Sequence, residues 1–176
     1  ETGTKLAAQI KRGDLTMPND DLMADMYLLV DQMCNEAGLA WYELSNWSKP
    51  GHECQHNIAY WKSANWWGLG PGAHSHIDKK RFWNVKHPTA YKQKLFAKES
   101  PIADSEDLTD EQLRDESIML AIRMRSGLSL DLLSSAAQER VMQYQSSGHL
   151  IQIDGKLQLT AQGRLIADRL VREALG

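Results

Sequence analysis

The segment His-Asn-Ile-Ala-Tyr-Trp at 56–61 places an imidazole, an amide, a phenol and an indole within one short stretch. All six tryptophans lie between Trp41 and Trp83, and five of the six histidines lie between His52 and His87. One imidazole nitrogen with aromatic and apolar walls is what a haem iron asks of a protein as an axial ligand. If 56–61 is helical, His56 and Tyr60 share a face, and Asn57 can hold the imidazole or a backbone group. Zinc is the competing metal, with His52, His56, His74 and His76 as candidates. No pair of these has a helical metal spacing beside a second ligand pair. Pro50 and Gly51 also argue against a helix joining His52 to His56, so a structural zinc site is disfavoured. On composition alone, an aromatic core satisfied by internal hydrogen bonds accounts for the cluster better than haem does. "GLGPGAHS" at 68–75 has glycines at 68, 70 and 72, a spacing that lets backbone approach a ligand closely. A tight turn at a strand end explains it equally well, and it lacks the third glycine position of a dinucleotide fingerprint.

The elements that must position these residues follow from local signals. Pro18 and Asn19 mark a break, and Asn19 or Asp20 can cap a helix carrying Leu22, Met26, Leu29, Val30 and Met33 at helical spacing. Gly38 ends it, and "LAWYELS" (39–45) reads as a buried strand. Helix then strand is a unit of an α/β layer or barrel. Residues 46–75 have little periodicity and are long for a structureless loop, which points to function. A short helix is expected over His56–Ser63. Residues 77–98 hold seven Lys or Arg against one Asp, with a helix led by Pro88. This stretch can face anionic lipid, nucleotide phosphate or porphyrin propionates. Its lysines form no single stripe, which favours an ordinary solvated face. An acidic linker is expected near 99–108.

Beyond it, Thr109 and Gln112 fit a capping box on a helix with Leu113, Leu120, Ala121 and Met124. Gly127 breaks that helix, Ser129 can cap a short one, and another should run from about Ala136 to Ser146. Asp154-Gly155 signals a hairpin, and Thr160 can cap a closing helix with Leu165, Ile166, Leu170 and Val171. This is the order of a winged helix. Residues 101–176 nevertheless hold eight basic and twelve acidic residues, a balance of −4, whereas DNA affinity needs clustered positive charge. A packing or docking module is therefore favoured, and nucleic acid is not an expected partner.

The chain has 176 residues, 42% of them apolar, enough for one large domain or two small ones. A net charge of −3 argues against a general nucleic-acid or membrane-surface binder. No apolar run is long enough to cross a bilayer and no signal peptide is visible. Cys34 and Cys54 do not make a C-x-x-C pair, so the expectation is a cytoplasmic protein with two reduced thiols, Cys34 being a small core residue. The start "ETGTKL", without Met, reads as the interior of a longer protein.

The stretch "YELSNWSKPGHECQHNIAYWKSANWWGLGPGAHSHIDKKRFWN" (42–84) resembles the oxygen-independent coproporphyrinogen III oxidase-like family of radical SAM proteins, and within it the haem chaperone branch. The matching positions are Tyr42, Glu43, Ser45, Asn46, Pro50 and Gly51, then His56, Asn57, Tyr60 and Trp61, then Gly68, Gly70, Pro71, Gly72, Ala73, His74 and Ser75. Trp47, Ser48 and Trp66 depart from the usual Phe, Ala and Tyr. The family's C-x-x-x-C-x-x-C motif and glycine-rich SAM segment are absent, and in the family both lie upstream.

The resemblance implies an α/β (α+β) fold, the C-terminal portion of a radical SAM partial (β/α) barrel followed by a winged-helix-like helical domain. Residues 1–100 would end the barrel and carry the H-N-x-x-Y-W segment, and 101–176 would form the second domain. It implies a [4Fe-4S] cluster and S-adenosylmethionine in the parent, with their ligands outside this chain and no catalytic residue within it. It implies haem bound through His56 to iron, with Asn57, Tyr60 and Trp61 around it, and delivery to a haem-accepting respiratory protein. Gly70, Gly72 and His74 would lie near the SAM end of the barrel. The alternative is the anaerobic dehydrogenase of haem biosynthesis. Family dehydrogenases carry an Arg-Asn version without the Tyr-Trp pair, so His56 and Trp61 discriminate the two.

Overall fold

The computed structural model describes residues 3–176. Thr4 and Gly13 bound a first helix, α1 (Lys5–Arg12), that no sequence signal had marked. Asn19 does cap the next helix, α2 (Asp20–Glu36), its side chain accepting from the Leu22 N–H at 3.1 Å. Asp20 and Asp21 in the first turn complement the helix dipole. The apolar residues Leu22, Met26, Leu29, Val30 and Met33 are all exposed, so this face is covered by nothing among the described residues.

The expected strand over 39–45 is shorter. β1 (Ala40–Glu43) turns back at once into β2 (Asn46–Ser48), pairing antiparallel with Trp41 opposite Trp47. All three sheets are antiparallel, so no two strands among the described residues pair in parallel. Next come α3 (Gln55–Trp61), β3 (His74–Ile77), β4 (Lys80–Asn84) and α4 (Pro88–Phe96). α3 stops two residues before the expected end, and Ser63 just beyond it has a left-handed backbone (φ 50°).

The acidic segment expected as a linker is instead β5 (Ile102–Asp107), hydrogen-bonded to β4. Every β5 residue is exposed, so no apolar alternation betrays it in the sequence. Its partner lies in the basic stretch: Lys80 faces Asp107 and Arg81 faces Glu106. Opposite charges directly across a ladder stabilise it and set its register.

The last part holds α5 (Asp110–Ala121), β6 (Leu128–Ser129), a 3-10 turn (Leu130–Leu132), α6 (Ser135–Ser146), β7 (Leu150–Ile153), β8 (Lys156–Leu159), α7 (Ala161–Leu165) and α8 (Ala167–Leu175). The sheet order β6-β8-β7 is that of a winged helix. Asp154 and Gly155 both take positive φ in the hairpin turn. The expected single closing helix is broken at Ile166. The main core lies here, built on Ile118, Ile122, Leu128, Val141, Leu150, Leu157 and Leu170. Cys34 is half-buried, Cys54 is exposed, and neither is in a disulfide.

The capping box forms as read, with Thr109 Oγ1 accepting from the Gln112 N–H and Gln112 Oε1 from the Thr109 N–H. Thr109→Ala is expected to cost about 1 kcal/mol, measured by urea unfolding.

Candidate functional site

α3 is too short to stand alone, and Cys54 gives it no side-chain cap. Its two faces do different things. His56 and Tyr60 point outward and meet edge to face, ring centroids 4.9 Å apart. Both are exposed, and no hydrogen bond reaches the His56 ring among the described residues. Tyr60 meets Trp66 at 5.0 Å, and Trp66 meets His76 at 4.9 Å. Trp66 and His76 also exchange backbone hydrogen bonds. His76 is only 2% exposed and both its ring nitrogens lack a hydrogen-bond partner in the structure.

The other face of α3 corrects the expected surround of His56. Asn57 holds neither the imidazole nor a backbone group. Its Nδ2 donates to Tyr42 Oη and Glu43 Oε1, both at 3.3 Å. Trp61, one turn on, lines a cleft with Ser117, Ala121 and Met124 of the C-terminal part. Of the three residues expected around His56, only Tyr60 touches it.

Nor do the tryptophans converge on His56. Trp41 lies under the Arg164 guanidinium, Trp47 donates its indole N–H to Asp31, Trp67 packs on Phe82, and Trp83 stacks on His74. Among the described residues, no three His, Cys, Asp or Glu side chains come together as a metal site.

The glycine segment is a turn leading into β3. Gly70 takes φ 107° and Gly72 φ 69°. The Gly70 N–H donates to Tyr91 Oη at 3.2 Å, and its carbonyl accepts from Asn84 Nδ2 at 2.9 Å. His74 is exposed against Trp83. A Cβ at Gly68 would sit 2.1 Å from the His74 carbonyl oxygen, which backbone pairing prevents from moving. Gly68→Ala is therefore expected to cost about 2 kcal/mol and to disturb the Trp66–His76 pairing, read by urea unfolding and near-UV circular dichroism.

Sequence reasoning missed one buried cluster. Arg164 pairs with Asp31 through Nη1 and Nη2, at 2.9 and 2.5 Å, and its Cζ sits 4.6 Å from the Trp41 ring centroid and 5.5 Å from that of Tyr27. Burial pushes the Asp31 carboxyl up. Hydrogen bonds from Arg164 and Trp47, with the Arg164 charge, outweigh that and hold it below the usual carboxylate range. Burial raises the Tyr27 hydroxyl, with Arg164 opposing, while that hydroxyl donates to the Leu44 carbonyl at 2.7 Å.

The architecture as a whole is matched among solved structures by coproporphyrinogen III oxidase (HemN) from Escherichia coli, a radical SAM enzyme. The TM-score is 0.67 at 15% identity, covering 89% of this chain and 41% of that one. That likeness defines the class of fold: the C-terminal region of a HemN-like protein. In sequence, residues 108–166 match the family described as HemN C-terminal domain. A heme chaperone HemW from Mycobacterium tuberculosis is 46% identical over all 176 residues, which make up 45% of its length. A heme chaperone HemW from Synechocystis is 37% identical over 73% of this chain and 32% of its own. In sequence and fold the chain is thus similar to the C-terminal part of HemN-like and HemW proteins, and it spans less than half the length of these relatives.

Proposed function

We propose that this chain is the C-terminal part of a haem chaperone and that His56 is its ligand to haem iron. The observation that carries the reading is the exposed His56 imidazole, unbonded by protein and set edge to face against Tyr60, in an H-N-x-x-Y-W segment. Haem is here a cargo. Holding it needs one available nitrogen and an aromatic flank, and His56 and Tyr60 fit both needs. Asn57 and Trp61 serve the site indirectly, by fixing the inner face of α3.

The rest of the pocket is then supplied by other parts of the longer protein. The exposed apolar face of α2 fits the same arrangement, as the seam against the remainder of the barrel. Cluster and SAM ligands fall on that remainder, with His74 as this chain's candidate contact near the SAM end. Gly70 and Gly72 act through the turn they form. We place residues 1–100 with the barrel and 101–176 as the appended domain, in a cytoplasmic protein that passes haem to a respiratory acceptor. No helix among the described residues is long and apolar enough to cross a membrane.

Haem titration of the chain and of the full-length protein, followed by the Soret band, tests the reading. A shifted, saturable band is expected. Its absence from both would overturn the proposal. Oxygen-free conversion of coproporphyrinogen III to protoporphyrinogen by the full-length protein would favour the dehydrogenase instead.

A further inference from the structure

Asn57 directly follows His56, and its amide ties the inner face of α3 to the end of β1. The group that receives it, Glu43, is 2% exposed. Glu43 Oε1 accepts from Asn57 Nδ2 at 3.3 Å and also from Asn46 Nδ2, while Oε2 accepts from the Ser45 backbone N–H at 3.2 Å. No cation pairs with Glu43 among the described residues. A buried carboxylate bonded only by neutral N–H groups is costly to leave unsatisfied, so its donors are held in place. The same strand end reaches the C-terminal part. Glu43 bridges Met124 through backbone, and the Tyr42 carbonyl accepts from the Arg125 N–H at 3.0 Å.

Successive side chains on a helix are rotated by about 100°. Locking Asn57 inward therefore sets the direction of the residue before it. We propose that Glu43 is a positioning residue for the His56 site: through Asn57 it fixes the rotation of α3 about its axis, so that His56 and Tyr60 present one outward face. This rests on the reading of His56 as the haem ligand. Seven helical residues without an N-terminal side-chain cap have little means of their own to hold that rotation.

Three variants of the full-length protein test it: Glu43→Gln, Asn57→Asp, and the two combined. Each is followed by haem titration and by amide hydrogen exchange without haem. Glu43→Gln keeps the size but turns an NH2 group toward existing donors. It is expected to weaken haem binding about tenfold and to speed exchange over 55–61, leaving 135–146 protected. Asn57→Asp sets two carboxylates face to face and should be weaker still. The combined variant restores a donor and an acceptor in reversed order and should recover most of the affinity. Unchanged affinity and unchanged exchange over 55–61 would overturn the role of Glu43. So would a double variant no better than Asn57→Asp, or a loss of protection spread equally over 135–146, which marks general destabilisation. A wild-type protein with no saturable Soret band would overturn the haem reading and this role with it. A wild-type band indifferent to Glu43→Gln overturns only the role.

Discussion

His56→Ala is expected to abolish the saturable Soret band, with apparent haem affinity falling at least about 100-fold. Removing an outer-shell partner of a metal ligand already costs roughly 10–100-fold, and here the ligand itself is removed. The fold should be unaffected, because His56 is exposed and its ring packs edge to face on Tyr60 at the surface. Unfolding midpoints of the two proteins should therefore coincide, separating loss of ligand from loss of structure. His52→Ala is the control. His52 lies in the loop before α3, and the titration should not notice its loss. Tyr60→Ala should keep the band position, since the iron ligand remains, and weaken binding modestly through the lost aromatic flank. Trp61→Ala should act in the opposite sense to His56→Ala. Its cleft with Ser117 and Ala121 makes it a stability residue, with little effect on the Soret band position. A band that survives His56→Ala but disappears with His52→Ala would move the ligand to the loop.

Arg164→Met is expected to destabilise the chain by about 3 kcal/mol, because it leaves the Asp31 carboxylate buried without its cation. For a chain of this length that is roughly 10 °C in Tm. The Asp31 carboxylate then keeps the Trp47 indole N–H, while Asn35 Nδ2 donates to the Asp31 backbone carbonyl. Asp31→Asn combined with Arg164→Met should cost less than the two single changes added together, since the pair acts as a unit.

The pH dependence has a definite sign. In the folded chain Asp31 ionises below the ordinary carboxylate range. The pair's contribution is therefore fully present above the unfolded value, near pH 4, and is lost as pH falls through the lower folded value. In Arg164→Met the desolvation that remains should raise Asp31 instead. The stability gap between wild type and variant should thus be widest near neutrality and close on acidification. A gap constant from about pH 7 to pH 3 would show that Arg164 acts by packing on Trp41 and Tyr27 rather than by charge.

Much of the local structure was legible, because its causes are local. Asn19 and Thr109 cap helices through a hydrogen bond spanning three residues, and Asp154-Gly155 turns a hairpin by backbone preference. These signals lie within four positions of one another. The shared face of His56 and Tyr60 was legible for the same reason, being one helical turn.

What failed was non-local. β5 has no apolar pattern and exists because β4 offers a basic edge some twenty residues upstream. Helix and strand periodicity brought Leu22 to Met33 into a stripe but could not tell what would cover it. The crowding of tryptophans between Trp41 and Trp83 suggested one aromatic box. The chain instead spends five of them on an ion pair, a helix cleft, a sheet face and a histidine stack, and sets Trp66 against Tyr60 and His76.

By itself, then, the sequence determined the caps, the turns, the family-like motifs and the shared face of His56 and Tyr60. Only the tertiary structure decided that Asn57 answers to Glu43, that Trp61 belongs to the C-terminal part, and that Asp31 meets Arg164 across 133 residues. Partners so distant in the chain leave no periodic trace. Their pairing follows from burial, which makes each unsatisfied polar group costly until the folded chain brings it a match.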